Sequence, residues 1–312
     1  MSKKLLVVFG ATGQQGGSVV DQVLQDPALS REFSIRGLTR DPSSPSSQAL
    51  AKRGVEVVKC DTSSDTDLRA ALNGAHTVFS MTTSIYTRTG GKEEEELGNH
   101  IADLAVECGA QYLIWSSMVS PKKISGGKYP NVDLFESKYN TEQYIRTLPI
   151  KSSFFVPGSF MQNLTGRQKP RPLGDGTYGL FNILNPDAKT AFIDVAADTG
   201  KWIAAMLADP DKYAGKSIAC AQGLYTQTEI AEILSAATGK SVKHVKIPVE
   251  QFASHLPEGS RTMITEMMQY CGEFGYYGAT QEEDVRWGAE QARGKLTSLA
   301  EYLEREPLKL DE

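Results

Sequence analysis

The first half of the chain alternates short apolar runs with stretches of helical periodicity. Residues 4–9 form a continuous aliphatic run, which is typical of a strand buried on both faces. Residues 18–24 then place apolar side chains at positions 19, 20, 23 and 24, which is helical spacing. Further strands are predicted at 34–39, 55–59, 77–81, 112–116 and 152–156, with helices at 46–53, 66–73, 93–108 and 135–148. This alternation predicts βαβ units and an α/β, doubly wound parallel-sheet Rossmann fold.

The rhythm breaks after Pro157, where Gly, Pro and Asn become frequent. In the second half, residues 190–207 supply the segment 192–195 and then a helix through Trp202. Further helices are predicted at 228–238, 249–256, 262–271 and 295–304, with strands at 216–221 and 242–247. We therefore expect residues 1–163 to form the nucleotide-binding domain, with 188–222 returning to it. Residues 164–187 and 223–312 would form a smaller, discontinuous α+β region for a substrate or partner.

Composition narrows the class of protein. The 312 residues are 40% apolar and 23% charged, which is ordinary for a globular chain, and the net charge of −5 argues against direct binding of nucleic acid. The apolar run before Gly10 is too short for a signal peptide, and no run approaches the ~20 apolar residues of a membrane span. The four cysteines and four histidines lack metal spacing. We expect a cytoplasmic protein, with a nuclear location as the alternative, and neither metal nor membrane.

A glycine triplet, Gly10-x-x-Gly13-x-x-Gly16, lies directly between the first strand and the first helix. The first glycine permits a tight turn, the second a close approach to a pyrophosphate, and the third close packing of helix on strand. The helix N-terminus then offers free N–H groups to phosphates. In this context the triplet predicts dinucleotide binding, with a plain structural turn as the alternative.

The end of the second strand bears on the choice of nucleotide. An acidic residue there accepts the ribose hydroxyls of NAD, whereas a basic one accommodates the 2′-phosphate of NADP. Arg40 is the basic residue, and Asp41 follows it. We favour NADP(H) over NAD, leaving open a solvated Arg40 with Asp41 on the ribose.

These residues resemble the NmrA-like branch of the atypical short-chain dehydrogenases. The resemblance rests on Gly-Ala-Thr-Gly-Gln-Gln-Gly-Gly-Ser-Val at 10–19, on the segments 37–42, 135–138, 142–144 and 157–163, and on Asp61. It spans residues 4–305 and implies a Rossmann fold with NADP(H) at the carboxyl ends of the strands. The implied cofactor residues are Gly10, Thr12, Gly13, Gln14, Gln15, Gly16, Arg40, Asp61, Thr62, Met81, Thr82, Thr83, Ser116, Lys138, Val156, Pro157, Gly158 and Phe160.

The resemblance also assigns places along the cofactor. Asp61 and Thr62 would border the adenine, and residues 81–83 would lie near the nicotinamide-side ribose. Residues 156–158 with Phe160 would close over the nicotinamide.

The catalytic pattern departs from that of typical short-chain dehydrogenases, which use Ser with Tyr-x-x-x-Lys. Lys138 occupies the lysine position, but Leu134 stands where the tyrosine should be. Three catalytic candidates remain, namely Lys138, Ser117 and Tyr129, because general acid work needs a positioned side chain. The alternatives are that Lys138 only binds the ribose, that Ser117 caps a turn, and that Tyr129 is a surface loop residue.

Three further features are open to simpler explanations. Glu93 to Glu96 form an acidic run that we interpret as first-turn charge favouring the helix dipole. The loop 85–92, with Tyr86 and Arg88, is expected to flank the cofactor. The aromatic stretch 270–278 would wall a substrate pocket, or else be core or a partner surface.

Three functions follow from this pattern. The first is an NADP(H)-dependent oxidoreductase that transfers hydride to a carbonyl, imine or activated alkene of a small molecule. The second is a non-catalytic cofactor sensor that binds a regulatory protein. The third is an enzyme that uses the nucleotide without net redox change. The sequence leaves the oligomeric state open.

Overall fold

A computed structural model describes residues 2–85 and 90–310. The strands, in chain order, are β1 (Lys4–Val8), β2 (Phe33–Thr39), β3 (Glu56–Lys59), β4 (Thr77–Ser80), β5 (Tyr112–Ser116), β6 (Lys151–Pro157), β7 (Ser159–Phe160), β8 (Arg171–Pro172), β9 (Tyr178–Asn182), β10 (Lys189–Ile193), β11 (Ser217–Cys220), β12 (Gly223–Thr226) and β13 (Val242–Lys246). They form three sheets, of which one is large and carries the candidate site.

The helices lie between these strands and after them. In chain order they are α1 (Gln14–Gln25), α2 (Leu29–Glu32), α3 (Pro45–Lys52), α4 (Asp65–Leu72), α5 (Gly90–Glu107), α6 (Pro121–Ile124), α7 (Asp133–Ile145), α8 (Val195–Ala208), α9 (Pro210–Tyr213), α10 (Gln227–Thr238), α11 (Val249–Ser254), α12 (Arg261–Phe274), α13 (Gln281–Gln291) and α14 (Leu299–Arg305). None of the helices in the described residues is long and apolar enough to cross a membrane.

The large sheet has seven strands in the order β11-β6-β5-β4-β1-β2-β3. Every neighbouring pair is parallel. The order reverses between β1 and β4, which is the switch point where open α/β sheets bind ligands at the carboxyl ends of their strands. The predicted doubly wound Rossmann fold is confirmed, and β11 extends the sheet beyond β6.

Two apolar layers cover the two faces of this sheet because its central strands are buried on both sides. One layer packs α1 and α8 against the sheet through Val19, Val20, Trp202 and Ile203. The other packs α4 and α5 through residues such as Leu68 and Ile101. The carboxyl ends of the strands are thereby fixed as a rigid edge.

The rest of the chain forms two three-stranded sheets and the C-terminal helices. One sheet has the order β12-β10-β7 and the other β13-β9-β8. Residues of α12 and α13 join Met118, Val156 and Phe135 in one apolar cluster. The second region therefore packs directly beside the ends of β5 and β6.

Several elements were not predicted from the sequence. Helix α13 has a polar sequence in which only Val285 and Gly288 are buried, so it shows little apolar periodicity. Strand β12 pairs antiparallel with β10, and neither has a distinctive pattern of its own. The predicted features at Tyr86 and Arg88 lie outside the described residues.

Candidate functional site

The glycine turn joins β1 to α1 at the switch point of the sheet. Gly10 has a φ of +61°, a left-handed conformation that favours glycine. A side chain at Gly16 would place its Cβ 2.3 Å from the carbonyl oxygen of Gly10, so only glycine allows α1 to pack this closely on the turn. Gly13 precedes α1 as its N-cap and offers no side chain to the first turn. Gly13 and Gln14 are exposed at the start of α1, so an anionic group can reach the backbone N–H groups there.

The turn is braced from the neighbouring strands. The Ser116 hydroxyl, at the end of β5, donates to Oε1 of buried Gln15 at 2.8 Å. The Met81 sulfur lies 3.4 Å from the position a Cβ would take on Gly10. These predicted cofactor residues therefore meet around the turn, while Thr12 and Gln14 are exposed at its surface.

Arg40 and Asp41, the two residues after β2, differ in their hydrogen bonding. Arg40 is exposed, and no hydrogen bond or ion pair engages it among the described residues. Asp41 instead accepts from the backbone N–H of Ser43 at 2.9 Å and from its hydroxyl at 2.5 Å. These hydrogen bonds lower the pKa of Asp41. The Arg40 guanidinium is therefore accessible to a ligand, whereas the Asp41 carboxylate stabilises the loop that contains Ser43.

Asp61 and Thr62 follow β3 at the same edge of the sheet. Asp61 is exposed and accepts from the backbone N–H of Ser63 at 2.9 Å and from its hydroxyl at 2.7 Å. Hydrogen bonds from Ser63 lower the pKa of this carboxyl. Asp61 therefore shapes the loop at the predicted adenine end.

Lys138 lies on α7 and is almost buried, with 12% of its side chain exposed. Its Nζ forms an ion pair with Glu94 of α5, donates to the Ser84 hydroxyl at 2.8 Å, and reaches the Leu134 carbonyl at 3.4 Å. Burial lowers the pKa of Lys138, and the Glu94 carboxylate opposes that effect. The structure thus holds a buried, paired ammonium beside the loop that follows β4.

That loop carries the predicted residues 81–83. The hydroxyl of buried Thr82 donates to Glu94 Oε1 at 2.7 Å, so it faces the ion pair. Thr83 is exposed and Met81 is half-buried. Thr82 therefore reaches Lys138 only through Glu94, and a cofactor contact from Thr82 would have to use its backbone.

Ser117 is fully buried, and its hydroxyl donates to Glu142 Oε2 at 2.5 Å. Glu142 also pairs with Arg146 and accepts from the Ser217 hydroxyl at 2.7 Å. The Ser117 hydroxyl is thus occupied in a network that ties β5, α7 and β11 together. Its predicted role as a donor to substrate would require that bond to break.

Tyr129 is buried and held by α12. Its hydroxyl donates to Glu273 at 2.7 Å, and its ring meets the Phe274 ring edge-on at 6.2 Å between centroids. Burial and the neighbouring Glu273 carboxylate raise the pKa of Tyr129. The structure links Tyr129 to α12 and does not bring it into contact with Lys138.

The end of β6 joins the large sheet to the second region. Val156 and Gly158 are buried, and the Gly158 N–H donates to the Cys220 carbonyl at 3.0 Å. Pro157 is also buried, and Phe160 is half-buried on β7. The predicted residues of the nicotinamide end therefore lie along one short segment.

The aromatic stretch 270–278, at the end of α12 and just beyond it, contributes three buried tyrosines to the core. Tyr270, Tyr276 and Tyr277 are buried, and the Tyr277 hydroxyl donates to the Val156 carbonyl at 3.0 Å. The Phe135 and Tyr276 rings meet at 5.5 Å between centroids. These side chains back the end of β6 and fix its position.

Glu94 is the site residue that sequence reasoning missed. The sequence predicts the run 93–96 as first-turn charge that favours the helix dipole, yet Glu94 is only 2% exposed and pairs with Lys138. A signal was present, since Glu94 precedes buried Gly98 by four residues and buried Ile101 by seven. That spacing places it on the inner face of α5.

The arrangement combines three functional groups along one edge of the sheet. An anion can bind at the first turn of α1, a free guanidinium stands at the end of β2, and a buried ammonium lies beyond β4 and β5. Along the sheet, these groups follow the order in which a dinucleotide lies across the carboxyl ends of the strands in a Rossmann fold. Among the described residues, no three His, Cys, Asp or Glu side chains are grouped to hold a metal.

Comparison with known proteins gives the family. The NmrA-like family model matches residues 2–303. An NmrA-like family domain-containing protein of Dictyostelium discoideum is 33% identical over 321 residues, with both chains covered in full (100% each). The NmrA-like family domain-containing oxidoreductase malD of Malbranchea aurantiaca is 31% identical over 258 residues, covering 78% of this chain and 76% of that protein.

Solved structures give the same fold. NmrA, described as a negative transcriptional regulator and solved in complex with NADP, superposes with a TM-score of 0.78 at 22% identity, covering 99% of this chain and 96% of that one. NmrA has also been solved in complex with NAD, with a TM-score of 0.80 at 22% identity and coverage of 99% of this chain and 96% of that one. The family match over nearly the whole sequence, the full-length relative and the shared fold agree, and the chain belongs to the NmrA-like family.

Proposed function

We propose that this protein is an NADP(H)-dependent oxidoreductase that acts on a small organic molecule with a polar double bond. Among its relatives, malD is named an oxidoreductase, and NmrA has been solved with NADP and with NAD. The observation that carries the proposal is the buried Lys138 ammonium, positioned beside the edge that the glycine turn prepares for a nucleotide.

The preference for NADP rests on the contrast at the end of β2. Arg40 is exposed and unengaged among the described residues, whereas the Asp41 carboxylate is bound to Ser43. A planar guanidinium suits a 2′-phosphate, and a carboxylate beside it would be needed for the ribose hydroxyls of NAD. This site therefore fits a phosphorylated ribose better.

The reaction assigns distinct tasks to this chain and to the nucleotide. Bound NADPH would supply the hydride. Lys138 would bind the ribose hydroxyls. It would also give a proton to the oxygen or the former imine nitrogen on which negative charge develops, since its lowered pKa makes it a better acid than an exposed lysine. The buried end of β6, with Val156 and Gly158, would keep water from the reacting face.

A second candidate is a cofactor-sensing regulator. It is favoured by Leu134, which replaces the tyrosine that a typical reductase uses as proton donor, and by the occupied hydroxyls of Ser117 and Tyr129. NmrA itself is described as a negative transcriptional regulator. Such a protein would bind a partner protein in response to the NADP/NADPH ratio and would turn over no substrate.

A panel of carbonyl, imine and activated-alkene compounds separates these functions. The oxidoreductase proposal expects NADPH oxidation, followed by absorbance, with at least one class. No oxidation with any class, together with a partner protein whose capture depends on NADP, would favour the regulator.

Replacing Lys138 by Ala tests the two tasks assigned to the ammonium. We expect turnover to fall about 100-fold or more, in the range typical for loss of a general acid, with NADPH affinity weakened less than tenfold. Turnover and the dissociation constant of NADPH are measured on the same preparation. A large loss of NADPH affinity, with turnover at saturating NADPH equal to that of the wild type, would show that Lys138 only binds the ribose.

A further inference from the structure

Glu94 and Lys138 form an ion pair inside the protein, between α5 and α7. Glu94 is 2% exposed, and its Oε1 accepts from both Lys138 Nζ and the Thr82 hydroxyl. Its second oxygen, Oε2, is buried and has no hydrogen-bond partner among the described residues. A carboxylate kept in such a place needs a cation, because an isolated buried charge is strongly unfavourable.

The partners of Lys138 differ in how easily they can be exchanged. Ser84 is half-buried on the loop after β4, so a ligand hydroxyl can take its place. The Leu134 carbonyl belongs to the same helix as Lys138. Glu94 is buried, and the oxygen that pairs with Lys138, Oε1, also accepts from the Thr82 hydroxyl. A ligand at Lys138 would therefore displace Ser84 and leave the ion pair in place.

Among residues 2–85 and 90–310, no second charged side chain forms an ion pair with Lys138. The charged neighbours on the surrounding elements are engaged elsewhere: Glu95 with Asn140, Glu142 with Arg146 and Ser117, Lys123 with Tyr139, and Glu136 with Ser120. Asp133 lies near the start of α5, against Gly91. The described loop residues 81–85 carry no charge. Among the described residues, Glu94 is thus the charged group in direct contact with Lys138.

We propose that Glu94 is a positioning residue for Lys138. It keeps Lys138 protonated and holds its Nζ at the carboxyl edge of the large sheet, where a ligand hydroxyl can replace Ser84 as a hydrogen-bond partner of Nζ. The proposal deepens the proposed function and rests on it, because the ligand is the nicotinamide-side ribose of NADPH. The charge of Glu94 opposes the effect of burial on the ammonium, and the hydrogen bond from Thr82 helps to orient the carboxylate that pairs with it.

The test follows the dissociation constant of NADPH, by fluorescence, as the pH rises from about 7 to about 11, which extends through the ordinary pKa of lysine. Affinity weakens when Lys138 loses its proton, so the midpoint of that loss reports the state of Lys138. Glu94→Gln removes the charge but keeps the shape. We expect it to move the midpoint down by about one pH unit or more.

Two matched variants show whether the effect passes through Lys138. Glu96→Gln neutralises an exposed member of the same acidic run, and its midpoint should equal that of the wild type. Lys138→Arg keeps a charge that does not titrate in this range, so its affinity should show no midpoint, with or without Glu94→Gln. An equal loss of affinity from Glu94→Gln in the Lys138→Arg protein would show a merely structural role and overturn the proposal.

An unshifted midpoint in Glu94→Gln would also overturn it. If Glu94→Gln does not fold, Glu94→Asp serves instead, because it keeps the charge but draws it back by one methylene. A smaller downward shift is then expected, and no shift contradicts the proposal.

Failure of the proposed function gives a different result. If NADPH binds no variant, the function is wrong, and the titration of Lys138 is followed by ¹³C NMR of the reductively methylated protein, with Lys138→Arg identifying the signal. A lower midpoint in Glu94→Gln then still supports the role of Glu94, and an unchanged one rejects it.

Discussion

At the scale of single residues, the site divides into positions that a motif determines and positions that burial determines. Lys138 and Gly10 are predicted site residues because of motif spacing in the sequence. The role of Glu94 depends on which of four successive glutamates turns inward, and that depends on how α5 packs on α7. The hydroxyl partners of Ser117 and Tyr129 come from distant parts of the chain, Glu142 and Glu273, which no local pattern connects.

Arg40 gives a prediction at this scale. Arg40→Glu should weaken NADPH binding relative to NADH by about 10- to 100-fold, corresponding to the ~1.5–3 kcal/mol of hydrogen bonds to a charged group. The ratio of the two dissociation constants, measured by calorimetry, checks it. Arg31→Glu is the control, since exposed Arg31 precedes β2 at the opposite end of the strand. An unchanged ratio in Arg40→Glu would reject the phosphate assignment.

At the scale of elements, the edge of the large sheet is positioned by close helix packing. Helix α8 lies against α1, where the Gly200 N–H donates to the Ser18 hydroxyl at 2.9 Å. The alternation of strands and helices made the Rossmann order predictable. The polar helix α13 was not predictable, because its Gly288 packs on the Ala219 backbone and needs no apolar stripe.

The close contact between α1 and α8 predicts that a single added methyl group there lowers the stability of the protein. In Gly200→Ala the new Cβ would lie 2.2 Å from the Ser18 carbonyl oxygen, so α8 must move away from α1. We expect the free energy of unfolding to fall by about 1–3 kcal/mol, as for other overpacked sites. Urea denaturation measures it. The control is Gly17→Ala on α1, whose Cβ would meet the nearest atom at an ordinary 3.5 Å, and a similar loss in both variants would contradict the packing argument.

At the scale of the whole molecule, the C-terminal segment returns to the nucleotide-binding part and is held there by buried acids. Asp194, at the start of α8, is fully buried and pairs with Arg305 of α14. Asp198 is also buried and accepts from the backbone N–H of Thr297 at 2.8 Å. Such contacts join residues about a hundred positions apart, so the sequence predicted the last helix but not where it docks.

Removing the partner of Asp194 should destabilise the whole protein. Among the described residues, Arg305→Met leaves that carboxylate with hydrogen bonds from Gln162 and the Ala197 N–H, and we expect the free energy of unfolding to fall by about 2–4 kcal/mol. The 45% exposure of Arg305 places the value below that of a fully buried pair. Adding Asp194→Asn should recover part of the loss, as measured by thermal and urea unfolding. No recovery would show that the arginine contributes through packing alone.

Every function proposed for this protein requires a nicotinamide nucleotide to bind at the edge formed by the glycine turn, Arg40 and Lys138. The most direct measurement is a calorimetric titration of the wild-type protein with NADPH and with NADH. We predict one nucleotide per chain, with NADPH bound about tenfold or more tighter because of its 2′-phosphate. Absence of binding by both nucleotides would contradict the central claim, and equal affinity for the two would contradict the role given to Arg40.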